Sequence, residues 1–218
     1  MPNCCSTPSI SESTGKFFSK RSKRYARSFR KGKLERIQHY LIEEICKEGL
    51  EGKTILDIGS GVGKLHLTLL RRGASFATGV DMSEEMIGHA KAFAKNFSVE
   101  QKTSYQHGDF LNIAGSIASA DITMLDKVIC CYEDLEGLIS LSAKKTNTIY
   151  ALIFPSNTFI VHLIFTLEIA FAKLFRSGFR PYWHEWNNVQ TILTKQGFTR
   201  SYSRTMMLWQ AAIYRREK

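Results

Sequence analysis

Residues 55–65 read ILDIGSGVGKL. An apolar run closes on an acid, Asp57, and Gly59, Gly61 and Gly63 follow at alternate positions. The run predicts a short buried strand over 54–58, and the glycines after it let a backbone turn sharply and approach a ligand with no Cβ in the way. Loops of this kind hold phosphates, dinucleotides or other nucleoside ligands, and spacing separates these cases. A P-loop requires G-x-x-x-x-G-K followed by Ser or Thr. Gly63-Lys64 imitates its end, but Ile58 stands where the first glycine belongs and Leu65 replaces the magnesium-binding hydroxyl. A dinucleotide fingerprint, G-x-G-x-x-G, would put its third glycine at position 64, which is lysine here. What remains is D-x-G-x-G-x-G, which has no long phosphate-binding turn.

Outward from the loop, strand alternates with helix. A helix is predicted over 64–72, stopped by Gly73, then a strand over 76–80 ending at Asp81. Ser83 reads as an N-cap, with Glu84 and Glu85 in the first turn of a helix that continues to Phe97. Further strands are expected over 103–106 before Gly108-Asp109, over 121–125 before Asp126, and over 148–154 before Pro155, with a helix over 135–143. This rhythm predicts an α/β fold with a doubly wound, Rossmann-like sheet. After Pro155 the pattern changes to an apolar helix over 158–175 and a helix over 187–196. Two β-rich segments follow, over 199–205 and 208–214, spaced to form an antiparallel hairpin at the sheet edge.

The D-x-G-x-G-x-G motif and the acids at later strand ends resemble the class I S-adenosylmethionine-dependent methyltransferases, over about residues 34–218. The resemblance implies S-adenosylmethionine as cofactor. Asp57, Gly59, Ser60, Gly61 and Gly63 would form its loop, with Asp57 holding the cationic methionyl end. Asp81 would accept from two ribose hydroxyls, Met82 would pack on the adenine, Asp109 would take the adenine amine and Phe110 would pack against the ring. Asp126 would stand beside the sulfonium and the substrate. Taken singly, an aspartate after a strand is as readily a turn former or N-cap; four acids in order, each at its own strand end, carry the likeness. No metal-binding pattern is present.

The acceptor is less clearly written. The [DNS]-P-P-[YFW] signature of many nucleic-acid amino methyltransferases is absent after the fourth strand, where DKVICCY (126–132) stands. DKVICCYEDLEGLI, FPSN, the long apolar helix, FRPYWHEWNNVQTILTKQGF and LWQAAIYRR resemble in layout the magnesium-protoporphyrin methyltransferases, which methylate a tetrapyrrole propionate. That likeness implies a small or medium, hydrophobic or planar acceptor. Phe159, Ile160, Leu163, Ile164 and Leu167 are expected to roof it. A carboxylate acceptor needs no general base, whereas a phenol or amine is activated by one; Tyr132, His184 and Asp126 are the candidates.

The formal net charge of +10 is concentrated in residues 16–36, which hold ten Lys or Arg against Glu35 alone. The rest of the chain is nearly neutral. This arm, with Phe17, Phe18, Tyr25 and Phe29 among its charges, suits three roles: a cap whose aromatics line the pocket, a membrane-surface contact, or a phosphate-tracking arm of an RNA methyltransferase or RNA-binding protein. Leu34, Ile37, Leu41, Ile42 and Ile45 predict an amphipathic helix to about Lys47.

Residues 1–15 are expected to be a flexible tail and 16–218 one methyltransferase domain, with a basic helical cap over 16–50 and a substrate-covering insertion over 156–186. Five cysteines, Cys4, Cys5, Cys46, Cys130 and Cys131, lack the pattern of a disulfide framework. They point to a reduced, cytoplasmic setting, with peripheral membrane contact as the variant. The partner expected is a small-molecule methyl acceptor.

Overall fold

The structure is a computed structural model that describes residues 10–30, 33–174, 179 and 181–217. Seven strands form one sheet in the order β3, β2, β1, β4, β5, β7, β6. They are β1 (Thr54–Ile58), β2 (Phe76–Asp81), β3 (Thr103–His107), β4 (Ala120–Asp126), β5 (Thr146–Pro155), β6 (Phe198–Met206) and β7 (Trp209–Arg216). β1 to β5 are mutually parallel, and β7 enters antiparallel between β5 and β6. The hairpin edge expected from the sequence is therefore present. Strand order reverses between β1 and β4, so a crevice opens there at the carboxyl ends of the strands.

Side-chain alternation divides the core into two layers. Ile149, Ala151 and Ile153 of β5 point to one face of the sheet, and Tyr150, Leu152 and Phe154 to the other. The first face is covered by α2 (Ser22–Arg30), α3 (Arg36–Cys46), α4 (Lys64–Arg71) and α5 (Glu84–Asn96). The second is covered by α6 (Phe110–Ile113), α7 (Leu135–Lys144) and α9 (Asn187–Lys195). The helix starts are fixed locally. Ser83 accepts from the Met86 amide and caps α5, and Asp134 caps α7 through Gly137 N. At α3, Glu35 and Gln38 close a reciprocal capping box.

Two expectations change. The segment read as a tail is helical from Ile10: α1 (Ile10–Ser19) precedes α2, and both pack on α5. Cys4 and Cys5 lie outside the described residues. The long apolar helix α8 (Phe159–Leu174) buries only part of its surface. Val161 and Phe165 are buried, whereas Phe159, Ile160, Leu163 and Leu167 are exposed at 81%, 67%, 48% and 51%. Of the five side chains expected to form a roof, Ile164 lines the second chamber described below, whereas the helix turns the other four, its i, i+1, i+4, i+8 stripe, outward.

Candidate functional site

The glycine loop sits at the reversal of strand order, between the ends of β1 and β4. Gly59 has φ 65°, and a Cβ there would collide with Val128 from the loop after β4. Gly61 has φ 54° and open space where its Cβ would be. One glycine thus lets two loops close on each other, and the other leaves room for a ligand.

The loop is tied to β2 through Asp81. Its Oδ2 accepts from Gly61 N at 2.7 Å and its Oδ1 from Ser83 N at 2.8 Å. Each carboxylate oxygen keeps a second lone pair, so the group can accept from two neighbouring hydroxyls. Burial is the main cause of an Asp81 pKa raised to about 6, which the two amide bonds partly offset.

The cleft above the loop encloses about 1000 Å³ with its open mouth. Asp57, Gly59, Ser60, Gly61, Asp81, Met82 and Asp126 line it. So does Lys64, to which the sequence reading assigned no role; burial lowers its pKa. Two buried oxygens of the lining, Ser60 Oγ and Asp126 Oδ1, have no hydrogen-bond partner among the described residues. Such atoms are costly unless a ligand or water meets them. Asp126 Oδ2 accepts from Gln38 Nε2, and burial raises the pKa of this carboxyl, with Lys127 and Gln38 opposing the rise.

Four expected residues fall elsewhere. Gly63 is the N-cap of α4, with φ 86°, and does not line the cleft. Phe110 is fully buried in the core beneath α6 and α7, so it cannot offer a ring face to a ligand. Asp109 caps α6, accepting from Leu111 N at 3.0 Å, and its charge lies near Tyr132. Gly108, beside them, does line the cleft. His184 lines neither this cleft nor the chamber beside it. Its Nε2 donates to the Tyr132 carbonyl at 2.8 Å, so it braces Tyr132 from behind. Tyr132 lines the cleft, but burial and the nearby Asp109 charge push its pKa up. It is therefore a hydroxyl donor at neutral pH rather than a general base. Of the three base candidates, Asp126 alone combines position with an available oxygen.

The N-terminal arm closes the cleft. Thr14, Phe18 and Tyr25 line it, whereas Phe29 packs on Phe93 and Phe97 of α5, with ring centroids 5.0 and 5.8 Å away. Gly15 passes so near Met82 that a Cβ would collide with the Met82 carbonyl. Ser19 bonds Ser83 Oγ at 2.8 Å and also the Glu85 carboxylate. Glu35 grips Lys127 Nζ through both oxygens at 2.6 and 2.5 Å. Lys127 adopts φ 60°, rare for a side chain with a Cβ, and sits 4.7 Å above the Trp209 ring.

A second chamber adjoins the first. Phe17, Phe18, Lys127, Ile164, Phe165 and Trp209 are among its walls, with Phe179, Cys130 and Cys131 completing one side. Among the described residues no group of three or more His, Cys, Asp or Glu could hold a metal ion. No described helix is long and apolar enough to cross a membrane.

Residues 55–144 match a protein family described as a methyltransferase domain. Magnesium protoporphyrin IX methyltransferase from Synechocystis PCC 6803, solved with bound SAH, superposes with TM-score 0.74 at 21% identity, covering 94% of this chain and 98% of that one. The chain has the class I S-adenosylmethionine-dependent methyltransferase fold. Curated relatives of the chain include a ubiquinone biosynthesis O-methyltransferase from Psychrobacter cryohalolentis, 33% identical over 94 residues, 43% of this chain and 34% of that protein. A sterol 24-C-methyltransferase from Saccharomyces cerevisiae is 27% identical over 130 residues, 59% of this chain and 31% of that protein. The chain thus spans about a third of the length of these curated relatives.

Sequence reasoning missed His66. It stands nine residues after Asp57 in KLHLTLLR, alone among leucines, and is fully buried. A polar ring on the apolar face of the helix after a ligand loop was the available signal.

Proposed function

We propose that this chain binds S-adenosylmethionine in the cleft and transfers its methyl group to an acceptor held in the adjoining aromatic chamber. The observation that carries this reading is Asp81. Its oxygens are anchored by two backbone amides, one from Gly61 of the glycine loop and one from Ser83 at the start of α5, and both keep a lone pair for a vicinal diol. When bound, the cofactor supplies an electrophilic methyl on a sulfonium. The protein's part is to hold the ligands in line and to exclude water, which can supply much of the acceleration of a displacement reaction. Gly61 and Ser60 accommodate the nucleoside, Asp57 faces the methionyl end, and Asp126 offers an oxygen near the junction of the two chambers.

The finer reading is O-methylation of a carboxylate on a flat, apolar acceptor of the tetrapyrrole type. The ring-lined chamber supports it, as does Lys127 at its base, whose ammonium could leave Glu35 for a substrate carboxylate. Such a nucleophile is already ionised at pH 7. The test is titration with S-adenosylmethionine, followed by a labelled-methyl screen over porphyrin carboxylates, quinone precursors, small thiols and RNA. Absence of cofactor binding defeats the whole reading, and transfer to RNA alone defeats the acceptor class.

Affinity for S-adenosylhomocysteine is expected to fall about tenfold between pH 7 and pH 5. The hydroxyls of the ligand donate to ionised Asp81, whereas the free site takes up a proton below its pKa of about 6, so each pH unit below it costs about a factor of ten. Calorimetry across this range checks the slope. An Asp81→Asn variant should show weak binding with no such slope.

A second reading, membrane-peripheral methylation of a quinone or lipid, is favoured by the outward stripe of α8 beside the second chamber. On this reading the chain floats with anionic liposomes, and the double substitution Ile160→Asp with Leu167→Asp lowers the floated fraction at least about fivefold, since each buried apolar side chain contributes about 1.5–3 kcal/mol. Equal flotation of both proteins would rule it out.

A further inference from the structure

Asp57 does not stand alone beneath the glycine loop. His66 Nδ1 lies 2.7 Å from Asp57 Oδ2, and His66 Nε2 lies 3.1 Å from the Tyr105 hydroxyl. His66 is on α4, Asp57 on β1 and Tyr105 on β3, so three separate elements deliver one hydrogen-bonded row. The space for it is cleared by two glycines. A Cβ at Gly63 would press on the His66 ring at 3.0 Å, and one at Gly79 would press on Tyr105 and Ser60 Oγ at 2.9 Å.

The row has a direction. A carboxylate only accepts, so His66 donates from Nδ1 and leaves a lone pair on Nε2 for the Tyr105 hydroxyl to meet. Tyr105 remains a donor, since burial holds its pKa well above the usual phenol value. Asp57 is only 2% exposed, and without a donor behind it a buried carboxylate would be free to rotate or take up a proton. With Oδ2 fixed by His66, the other oxygen is the one left to face the cleft that Asp57 lines.

We propose that His66, backed by Tyr105, is a positioning residue that aims Asp57 at a cationic group of the bound ligand, so that it governs recognition of the amino-acid half of the cofactor and not of its nucleoside half. The proposal rests on the S-adenosylmethionine reading above. It separates two parts of one ligand: the adenosine part meets Asp81, Met82 and Gly61, whereas the row behind Asp57 meets only the methionyl ammonium.

The test compares binding of S-adenosylhomocysteine, which has the ammonium, with 5′-methylthioadenosine, which lacks the amino-acid group. Both are titrated into the full chain as wild type, His66→Leu, His66→Asn and Tyr105→Phe. His66→Leu is expected to weaken S-adenosylhomocysteine at least tenfold and methylthioadenosine less than threefold. His66→Asn, whose amide nitrogen can reach Asp57 from the place of Nδ1, should recover most of the loss. Tyr105→Phe should show a smaller change of the same selectivity. Equal loss for both ligands, or an unchanged ratio in His66→Leu and Tyr105→Phe, overturns the proposal. If His66→Leu does not fold, the ratio in Tyr105→Phe decides: unchanged, the proposal fails. Wild-type protein that binds neither ligand would instead defeat the cofactor reading itself.

Discussion

Asp81→Ala is expected to weaken binding of S-adenosylmethionine by about 100-fold. Hydrogen bonds to a charged acceptor are worth about 1.5–3 kcal/mol each, and the substitution removes two that a vicinal diol would make. A total near 3 kcal/mol corresponds to about two decades in Kd. The same change orphans the amides of Gly61 and Ser83, which now bond Asp81 at 2.7 and 2.8 Å, so the loop itself would loosen. Thermal unfolding without ligand separates these effects. A modest loss of melting temperature beside a large loss of affinity identifies Asp81 as a ligand group. Unchanged affinity would remove the central support of the proposed function.

Phe110→Ala is expected to do the opposite. Phe110 is fully buried among Leu135, Leu138 and their neighbours, beneath α6 and α7. Emptying such a site costs about 3–5 kcal/mol, transfer and cavity terms together, or about 10 °C in melting temperature for a chain of this size. Affinity for S-adenosylhomocysteine should stay within a factor of three in protein that remains folded. A stable variant with poor affinity would restore the ring to the adenine pocket and overturn its placement in the core.

These two residues show what the chain made readable and what it did not. Each strand ends close to where an apolar run meets a turn residue, and β1 spans the five residues expected of it. The acids at 57, 81 and 126 reach the cleft because a parallel sheet brings all its carboxyl ends to one edge. Past those ends, spacing loses its hold. Asp109 and Phe110 continue the pattern in letters, yet a single turn of α6 starts between them; the aspartate becomes a cap and the ring swings into the core. Periodicity says that Phe159, Ile160, Leu163 and Leu167 share one face of α8, but not whether the face looks inward. The basic helical cap over 16–50 was expected, but composition hid how α2 is held. Ala26 and Phe29 are a small apolar minority in SKRYARSFR, and their burial depends on the distant aromatic pair Phe93 and Phe97.

Phe18, Lys127 and Cys131 border both chambers, and Phe18 rides on the helix fastened to Met82 and Ser83. Donor and acceptor rooms therefore share a door as well as a wall. On the proposed function, lifting α1 would uncover both, so that spent donor and methylated product would leave by a single motion. In the proposed reaction cycle, the traffic of two chemically unlike molecules is timed by one short helix and the two serines that latch it.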